Sequence, residues 1–144
     1  MKTKGLIANA QTLVDAPVDK VWDAFTNPET IKKYMFGTTV SSDWKNGSHI
    51  TWKGEWKGKP YEDKGVILQL KPGTRLQYSH FSPLTGQTDS PENYHTVTID
   101  LNGKDDQTAV SLAQDHNETE QEKENSEKNW NMMLTGLKNL LENG

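Results

Sequence analysis

Two histidines share a predicted face with apolar side chains, so they could act together on a bound molecule. His80 is in phase with Leu76 and Tyr78 on one predicted strand, and His95 is in phase with Val97 on another. Imidazole titrates near neutral pH, so the pair could orient a ligand or act as acid and base. Histidines at such positions are more often hydrogen-bonded within a core, and we favour that structural role.

The sequence lacks the other patterns that enzymes commonly use. Its four histidines show no i, i+4 spacing, cysteine is absent, and no serine stands in a G-x-S-x-G motif. The glycines are scattered rather than arranged as a phosphate-binding loop, and the acidic segment 115–127 lacks the spacing of a calcium loop. We expect no catalytic residue, no metal and no cofactor. An enzyme that uses His80, His95 or a pocket tyrosine stays open as an alternative.

Aromatic rings and methionine around a few polar groups are typical of a pocket for a small molecule. The candidate lining residues of a cavity between a sheet and the C-terminal helix are Trp52, Trp56, Tyr78, His80, His95, Trp130, Met133, Leu134 and Leu137. Apolar stripes of this kind also form ordinary cores. The same residues could therefore fill the interior and leave no space for a ligand.

The segment Ser126–Leu141 predicts a long amphipathic helix. Its apolar positions recur at i, i+3, i+4, i+7 and i+11, namely Trp130, Met133, Leu134, Leu137 and Leu141. Upstream, Thr119 and Glu122 have the spacing of a capping box, so we place the helix start between Thr119 and Ser126. A broad apolar stripe needs a wide apolar surface, and we expect a sheet to provide it.

The rest of the chain predicts a strand, two short helices and a run of strands. The predicted strands are Leu6–Val14, Thr38–Ser42, Ser48–Lys57, Tyr61–Leu70, Arg75–Ser82, Tyr94–Leu101 and Thr108–Gln114, and the helices are Pro17–Phe25 and Pro28–Tyr34. Asp15 and Asn27 are the predicted caps of the two helices. Tight turns imply antiparallel neighbours, and alternation implies one apolar face. We predict a two-layer α+β domain in which the terminal helix covers the sheet.

The length, composition and net charge of the chain limit the possible classes of protein. A chain of 144 residues suits one domain, 1–144. Five tryptophans and a net charge of -4 argue against disorder, although the apolar fraction is only 32%. The mild acidity argues against nucleic-acid binding. No apolar run approaches the ~20 residues of a membrane span, so we expect a cytoplasmic protein.

Four segments together resemble one known superfamily in their order along the chain. They read APVDKVWDAFTNPETIKKYM, WKNGSHITWKGEWKGKPYEDKGVIL, PGTRLQYSHFSPLTG and SEKNWNMMLTGLKNLL. They resemble START-like (SRPBCC) proteins, and among these the bacterial group named for homology to an activator of the heat-shock chaperone ATPase. The resemblance implies a helix-grip fold: a curved antiparallel sheet wrapped around a long C-terminal helix, two short helices after the first strand, and a cavity between sheet and helix.

The resemblance also implies a range of functions. Relatives in the wider superfamily bind lipids, sterols, polyketides, flavonoids or plant hormones, and a few are cyclases or hydrolases. The chaperone activator carries a further N-terminal domain to which nothing in this chain corresponds, which argues against chaperone activation. We expect a binding module for an apolar or aromatic small molecule or a lipid. The alternatives are a co-chaperone-like module for a protein partner, which needs an exposed apolar patch, and an enzyme, which needs a shifted pKa beside an open cavity.

Overall fold

The computed structural model describes residues 6–35, 37–56, 58–82, 88–90, 93–117 and 119–143, without the side chains of Trp56 and Asn143. In chain order the elements are β1 (Leu6–Val14), α1 (Val18–Thr26), α2 (Pro28–Tyr34), β2 (Thr39–Ser42), β3 (His49–Trp56), β4 (Lys59–Lys71), β5 (Arg75–His80), β6 (His95–Lys104), β7 (Gln107–Asn117) and α3 (Glu120–Asn143). The sequence also predicts a turn that begins at Lys57, a polar segment Pro83–Glu92 and a helix stop at Asn143–Gly144. Lys57, Gly144 and part of Pro83–Glu92 lie outside the described residues.

The strands form one antiparallel sheet in the order β1-β7-β6-β5-β4-β3-β2. The chain begins at one edge, crosses to the other edge through α1 and α2, and returns strand by strand until β7 pairs with β1. Helix α3 then packs against the sheet. The predicted α+β helix-grip architecture, with two short helices after the first strand, is confirmed.

The core lies between α3 and the inner face of the sheet. Met133, Leu134 and Leu137 are at most 5% exposed, and they meet buried residues of the central strands such as Ile67 and Leu112. The spacing of the apolar stripe therefore selects the buried face of α3, as the period of 3.6 residues requires. Within the described residues, no helix has the length and apolar character needed to cross a membrane.

Two of the predicted helix caps are confirmed and one is wrong. The Asn27 side chain accepts a hydrogen bond from the backbone N–H of Glu29 (3.0 Å), and Thr119 Oγ1 accepts one from the N–H of Glu122 (3.1 Å). Asp15 does not cap α1, because Pro17 occupies the N-cap position and no side chain bonds there. Proline at that position places Asp15 too far upstream to reach the first turn.

The last hairpin is longer than predicted. The sequence predicts a hairpin loop from Asn102 to Asp106. Lys104 pairs with Gln107, so only Asp105 and Asp106 form the turn, and the predicted beginning of the loop is wrong. Asp105 has a φ of 58°, a left-handed conformation that aspartate tolerates better than most residues. The strands continue into residues that are polar, and the polar residues led to the prediction of a longer loop.

The pairing of β4 with β5 contains an irregularity that shapes one end of the sheet. The register shifts between Ile67 and Gln69, and Val66 donates its backbone N–H to Ser79 Oγ (2.9 Å) instead of to a carbonyl. A Cβ on Gly65 would lie 1.7 Å from the carbonyl oxygen of Ser79. Glycine is therefore required here, since the two backbones approach too closely for any side chain.

Candidate functional site

A polar cleft opens between the inner face of the sheet and the first half of α3. Its volume is about 240 Å³. The lining residues are His80, Ser82, Asn93, His95, Gln114, Ser126, Asn129 and Trp130. Strands β5, β6 and β7 supply three of these side chains and α3 supplies three more. Seven of the eight are polar, so the cleft offers hydrogen bonds on most sides.

His80 is held by a carboxylate behind it. Its Nε2 lies 2.9 Å from Oδ2 of Asp63, whose side chain is only 15% exposed. A carboxylate accepts, so Nε2 carries the proton and, in the neutral ring, Nδ1 keeps its lone pair. The imidazole also packs edge-to-face on the indole of Trp52, with centroids 5.0 Å apart. The ring is therefore fixed in both tautomer and orientation.

His95 lies directly opposite His80 across the β5–β6 pair, so the two side chains share the inner face. Its Nδ1 is 2.8 Å from the backbone carbonyl oxygen of Asp115. Because a carbonyl oxygen can only accept, Nδ1 carries the proton and Nε2 keeps the lone pair. The carboxylate of Asp115 is itself held by the N–H of Thr96 (2.6 Å).

Trp130 closes the cleft from α3. Its indole Nε1–H donates to Oε1 of Gln114 over 2.5 Å. One turn earlier, Ser126 donates its hydroxyl to Oδ1 of the buried Asn117 (3.0 Å). The Nδ2 group of Asn117 donates to the backbone carbonyls of Leu6 and Gln114. These contacts hold the first half of α3 over the end of β7.

The apolar region under α3 is almost completely filled. The cavity there measures about 20 Å³, close to the space of one water molecule. Its lining includes Trp52, Tyr78, Met133 and Trp130, so Trp130 borders both this cavity and the polar cleft. Burial raises the pKa of Tyr78 well above its usual value. That phenol is therefore neutral at physiological pH.

The structure divides the nine predicted lining residues into separate groups. His80, His95 and Trp130 line the polar cleft, whereas Trp52, Tyr78 and Met133 line the small apolar cavity. Leu134 and Leu137 are buried in the core, and the side chain of Trp56 lies outside the described residues. Their role in binding a ligand stays a prediction.

Sequence reasoning missed most of the polar residues at this site. Asp63 and Gln114 stand at inward positions of their strands, in phase with Ile67 and Leu112. A polar residue at an inward position was the available indication. Asn129 carried none, because an asparagine on a helix surface is ordinary.

The charges at the cleft limit its chemistry. None of the described lining residues is Lys, Arg, Asp or Glu. Among the described residues, no group of three or more His, Asp or Glu side chains could hold a metal ion. In its neutral form each imidazole would present an acceptor nitrogen, because its proton is directed to Asp63 or to the Asp115 carbonyl.

Comparison with known proteins places this architecture in a family. Residues 15–142 match the model described as "Activator of Hsp90 ATPase homolog 1-like protein". No match is found among curated proteins. The solution structure of ChR145 from Cytophaga hutchinsonii is 62% identical, has a TM-score of 0.87, and the alignment covers 98% of this chain and 97% of that chain.

More distant structures share the fold. The Aha1 dimer from Colwellia psychrerythraea is 21% identical, with a TM-score of 0.73 and coverage of 94% of this chain and 96% of that chain. CalU16 from Micromonospora echinospora is 22% identical, with a TM-score of 0.71 and coverage of 97% and 84%. The predicted resemblance is confirmed over nearly the whole chain. This protein belongs to the Activator of Hsp90 ATPase homolog 1-like family of helix-grip proteins.

Proposed function

We propose that this protein is a binding module that holds one small molecule in the polar cleft under the first half of α3. The observation that carries the proposal is the cleft itself: about 240 Å³ of space between sheet and helix, bordered by an indole and by two oriented imidazoles. A concave site that combines convergent polar groups with an aromatic wall can fix the orientation of a bound molecule.

The ligand should have one apolar or aromatic face and a polar rim. Its apolar face would lie on Trp130, and its polar groups would meet His80 and His95. A larger apolar molecule or a lipid chain would also need the region around Met133, where only about 20 Å³ is free. Such a ligand requires α3 to move away from the sheet.

The indole N–H of Trp130 offers a direct test, because its hydrogen bond to Gln114 borders the cleft. Native mass spectrometry of freshly purified protein would first show whether a compound co-purifies. The ¹⁵N-labelled full chain would then be titrated with small apolar, aromatic and hydroxylated compounds. We expect at least one class to shift the Trp130 indole resonance in a saturable way.

Trp22 on α1 provides the internal control. It packs against the core but does not line the cleft, so its indole resonance should stay in place. If no compound shifts the Trp130 resonance, or if Trp22 shifts equally, the proposal is wrong. The alternative of a module for a protein partner stays a prediction. The exposed large apolar residues that such a partner would use are divided among β1, β4 and α3, namely Ile7, Leu13, Leu68 and Met132.

A further inference from the structure

We propose that the polar cleft takes the hydroxylated rim of a single uncharged ring, such as a monosaccharide or a cyclitol. This inference rests on the proposed function and deepens it by naming the ligand class. It follows from the kinds of hydrogen-bonding groups that the cleft presents, from its charge and from its size.

The side of the cleft formed by His80 and His95 presents acceptors. The proton of each neutral imidazole is used outside the cleft, by Asp63 for His80 and by the Asp115 carbonyl for His95. Among the described residues, the buried side-chain polar atoms without a partner are Asp63 Oδ1 and Gln69 Oε1. His80 Nδ1 and His95 Nε2 therefore stay accessible, and a ligand that donates two hydrogen bonds matches them.

A second side of the cleft, formed by Gln114 of β7 and Asn129 of α3, presents donors. Gln114 uses Oε1 to accept the indole N–H of Trp130, which leaves its amide NH₂ to donate. The exposed Asn129 adds an amide that can donate or accept. A hydroxyl group both donates and accepts, so a ring with several hydroxyls satisfies both sides at once. A carbonyl-only or amine-only ligand satisfies one side.

The absence of fixed charge selects a neutral ligand. No Lys, Arg, Asp or Glu is found among the described residues that line the cleft. Removing a phosphate, a carboxylate or an ammonium group from water costs several kcal/mol unless an opposite charge compensates it. Removing a hydroxyl group from water costs much less free energy, and ordinary hydrogen bonds in the site offset that cost.

Size and shape select one ring. The volume of about 240 Å³ is below the ~300–1,000 Å³ of sites for drug-sized ligands. The indole of Trp130 supplies a flat apolar wall at the boundary between the cleft and the core. The C–H face of a cyclic polyol can lie on such a wall while its rim turns to the polar groups.

The test uses the ¹⁵N-labelled full chain with D-glucose, D-galactose, D-ribose and myo-inositol. Each is added up to ~50 mM, since a small site of this kind is expected to bind with millimolar dissociation constants. We expect a saturable shift of the Trp130 indole resonance with at least one of them. D-glucosamine and D-glucuronate, which keep the ring and carry a charge, should bind about tenfold more weakly, because the cleft offers no counter-charge.

A matched pair of variants on α3 tests the location. Asn129→Ala removes an amide at the cleft and should weaken binding about three- to tenfold, the value of one neutral hydrogen bond. Asn131→Ala removes the same side chain from an exposed position that does not line the cleft, and should leave binding unchanged. Both positions are exposed, so both variants should fold.

The possible contrary results are separable. Equal or tighter binding of the charged analogues overturns the inference, as does equal weakening by the two variants. If no polyol shifts the Trp130 resonance but an aromatic or apolar compound does, the ligand class is wrong and the proposed function stands. If no compound of any class shifts it, both proposals fail.

Discussion

Single side chains at the cleft are oriented by groups that lie behind them. Asp63 holds His80, the carbonyl of Asp115 holds His95, and Gln114 holds Trp130. For the two histidines, the contact uses the ring nitrogen that the proposed ligand does not bind. A ring held in this way presents one defined atom to the cleft, which reduces the entropy lost when a ligand binds.

The two histidines should therefore have opposite tautomers when neutral. In the neutral rings we expect His80 to carry its proton on Nε2 and His95 on Nδ1, because a carboxylate and a carbonyl oxygen accept. Long-range ¹H–¹⁵N correlation spectra of the side chains measure this directly. In Asp63→Ala, His80 should become a mixture while His95 is unchanged. The same tautomer on both rings of the unmodified protein would contradict the described geometry.

Two Gly→Ala substitutions should change stability in opposite directions. At Gly65 a Cβ would lie 1.7 Å from a backbone oxygen of Ser79, so the strands must separate and the loss should reach about 3 kcal/mol or more. At Gly136 in α3, the nearest atom to a Cβ, on Tyr34, is an ordinary 3.6 Å away. Alanine there should gain roughly 0.5–1 kcal/mol from helix propensity. Urea denaturation measures both, and equal effects would show that the close approach at Gly65 is not rigid.

Among the elements, α3 protects the edge strand β1 as well as covering the core. Glu127 accepts the backbone N–H of Asn9 (3.0 Å), and Glu142 accepts that of Asp15 (2.8 Å). Lys138 donates to the carbonyl of Leu13 (3.0 Å). An unpaired strand edge can pair with another chain. The charged side of α3 therefore occupies backbone groups that would otherwise be free for aggregation.

These contacts predict an acid-dependent loss of stability. The Asn9 N–H and then Lys123 lower the pKa of Glu127, and Lys138 and then the Asp15 N–H lower that of Glu142. A lowered pKa in the folded state stabilises the fold above the ordinary glutamate pKa, and the contribution is lost as pH falls through the folded value. The urea concentration at the midpoint of unfolding should therefore decrease as the pH is lowered from about 5 to about 3.

The variant Glu127→Gln/Glu142→Gln removes both titrations and should flatten this part of the profile. Glu124→Gln is the matched control, because Glu124 is an exposed α3 carboxylate without these contacts. It should leave the profile unchanged. A steep acid loss that persists in the double variant would assign the effect to other carboxylates.

At the scale of the whole molecule, space is distributed unevenly between sheet and helix. The apolar half beneath α3 retains about 20 Å³, whereas the polar end retains about 240 Å³. The unmodified protein should therefore show no xenon-induced shifts around Met133, because the space there holds little more than one water molecule, whereas a larger apolar void can bind xenon.

Met133→Ala should create that space. Met133 is 5% exposed and lines the apolar cavity, so its truncation should cost about 2–5 kcal/mol and permit saturable xenon binding seen by NMR. Met132→Ala, at a neighbouring position that is 56% exposed, should change stability by no more than about 0.5 kcal/mol. Xenon binding in the unmodified protein would show that the apolar interior opens readily in solution.

Much of the fold follows from the sequence because local periodicity determines which side chains share a face. The stripe of Leu134 and Leu137 determined the buried side of α3, and the alternation around Val97 and Ile99 determined the inner face of the sheet. Turn residues determined antiparallel neighbours, and Asn27 and Thr119 determined two helix starts. These are properties of residues close together in the chain, so no tertiary information was needed.

The tertiary structure alone decided where space remains and what each polar group bonds. Asp63 meets His80 across 17 residues, Gln114 meets Trp130 across 16, and Glu127 meets the backbone of Asn9 across 118. Such partners depend on strand order, on register and on the register shift between Ile67 and Gln69, which no local pattern encodes. Whether aromatic residues leave a cavity depends on the sum of all their packed volumes. The sequence therefore determined the inward face of the sheet, and only the packing decided that its apolar part is filled and its polar end is open.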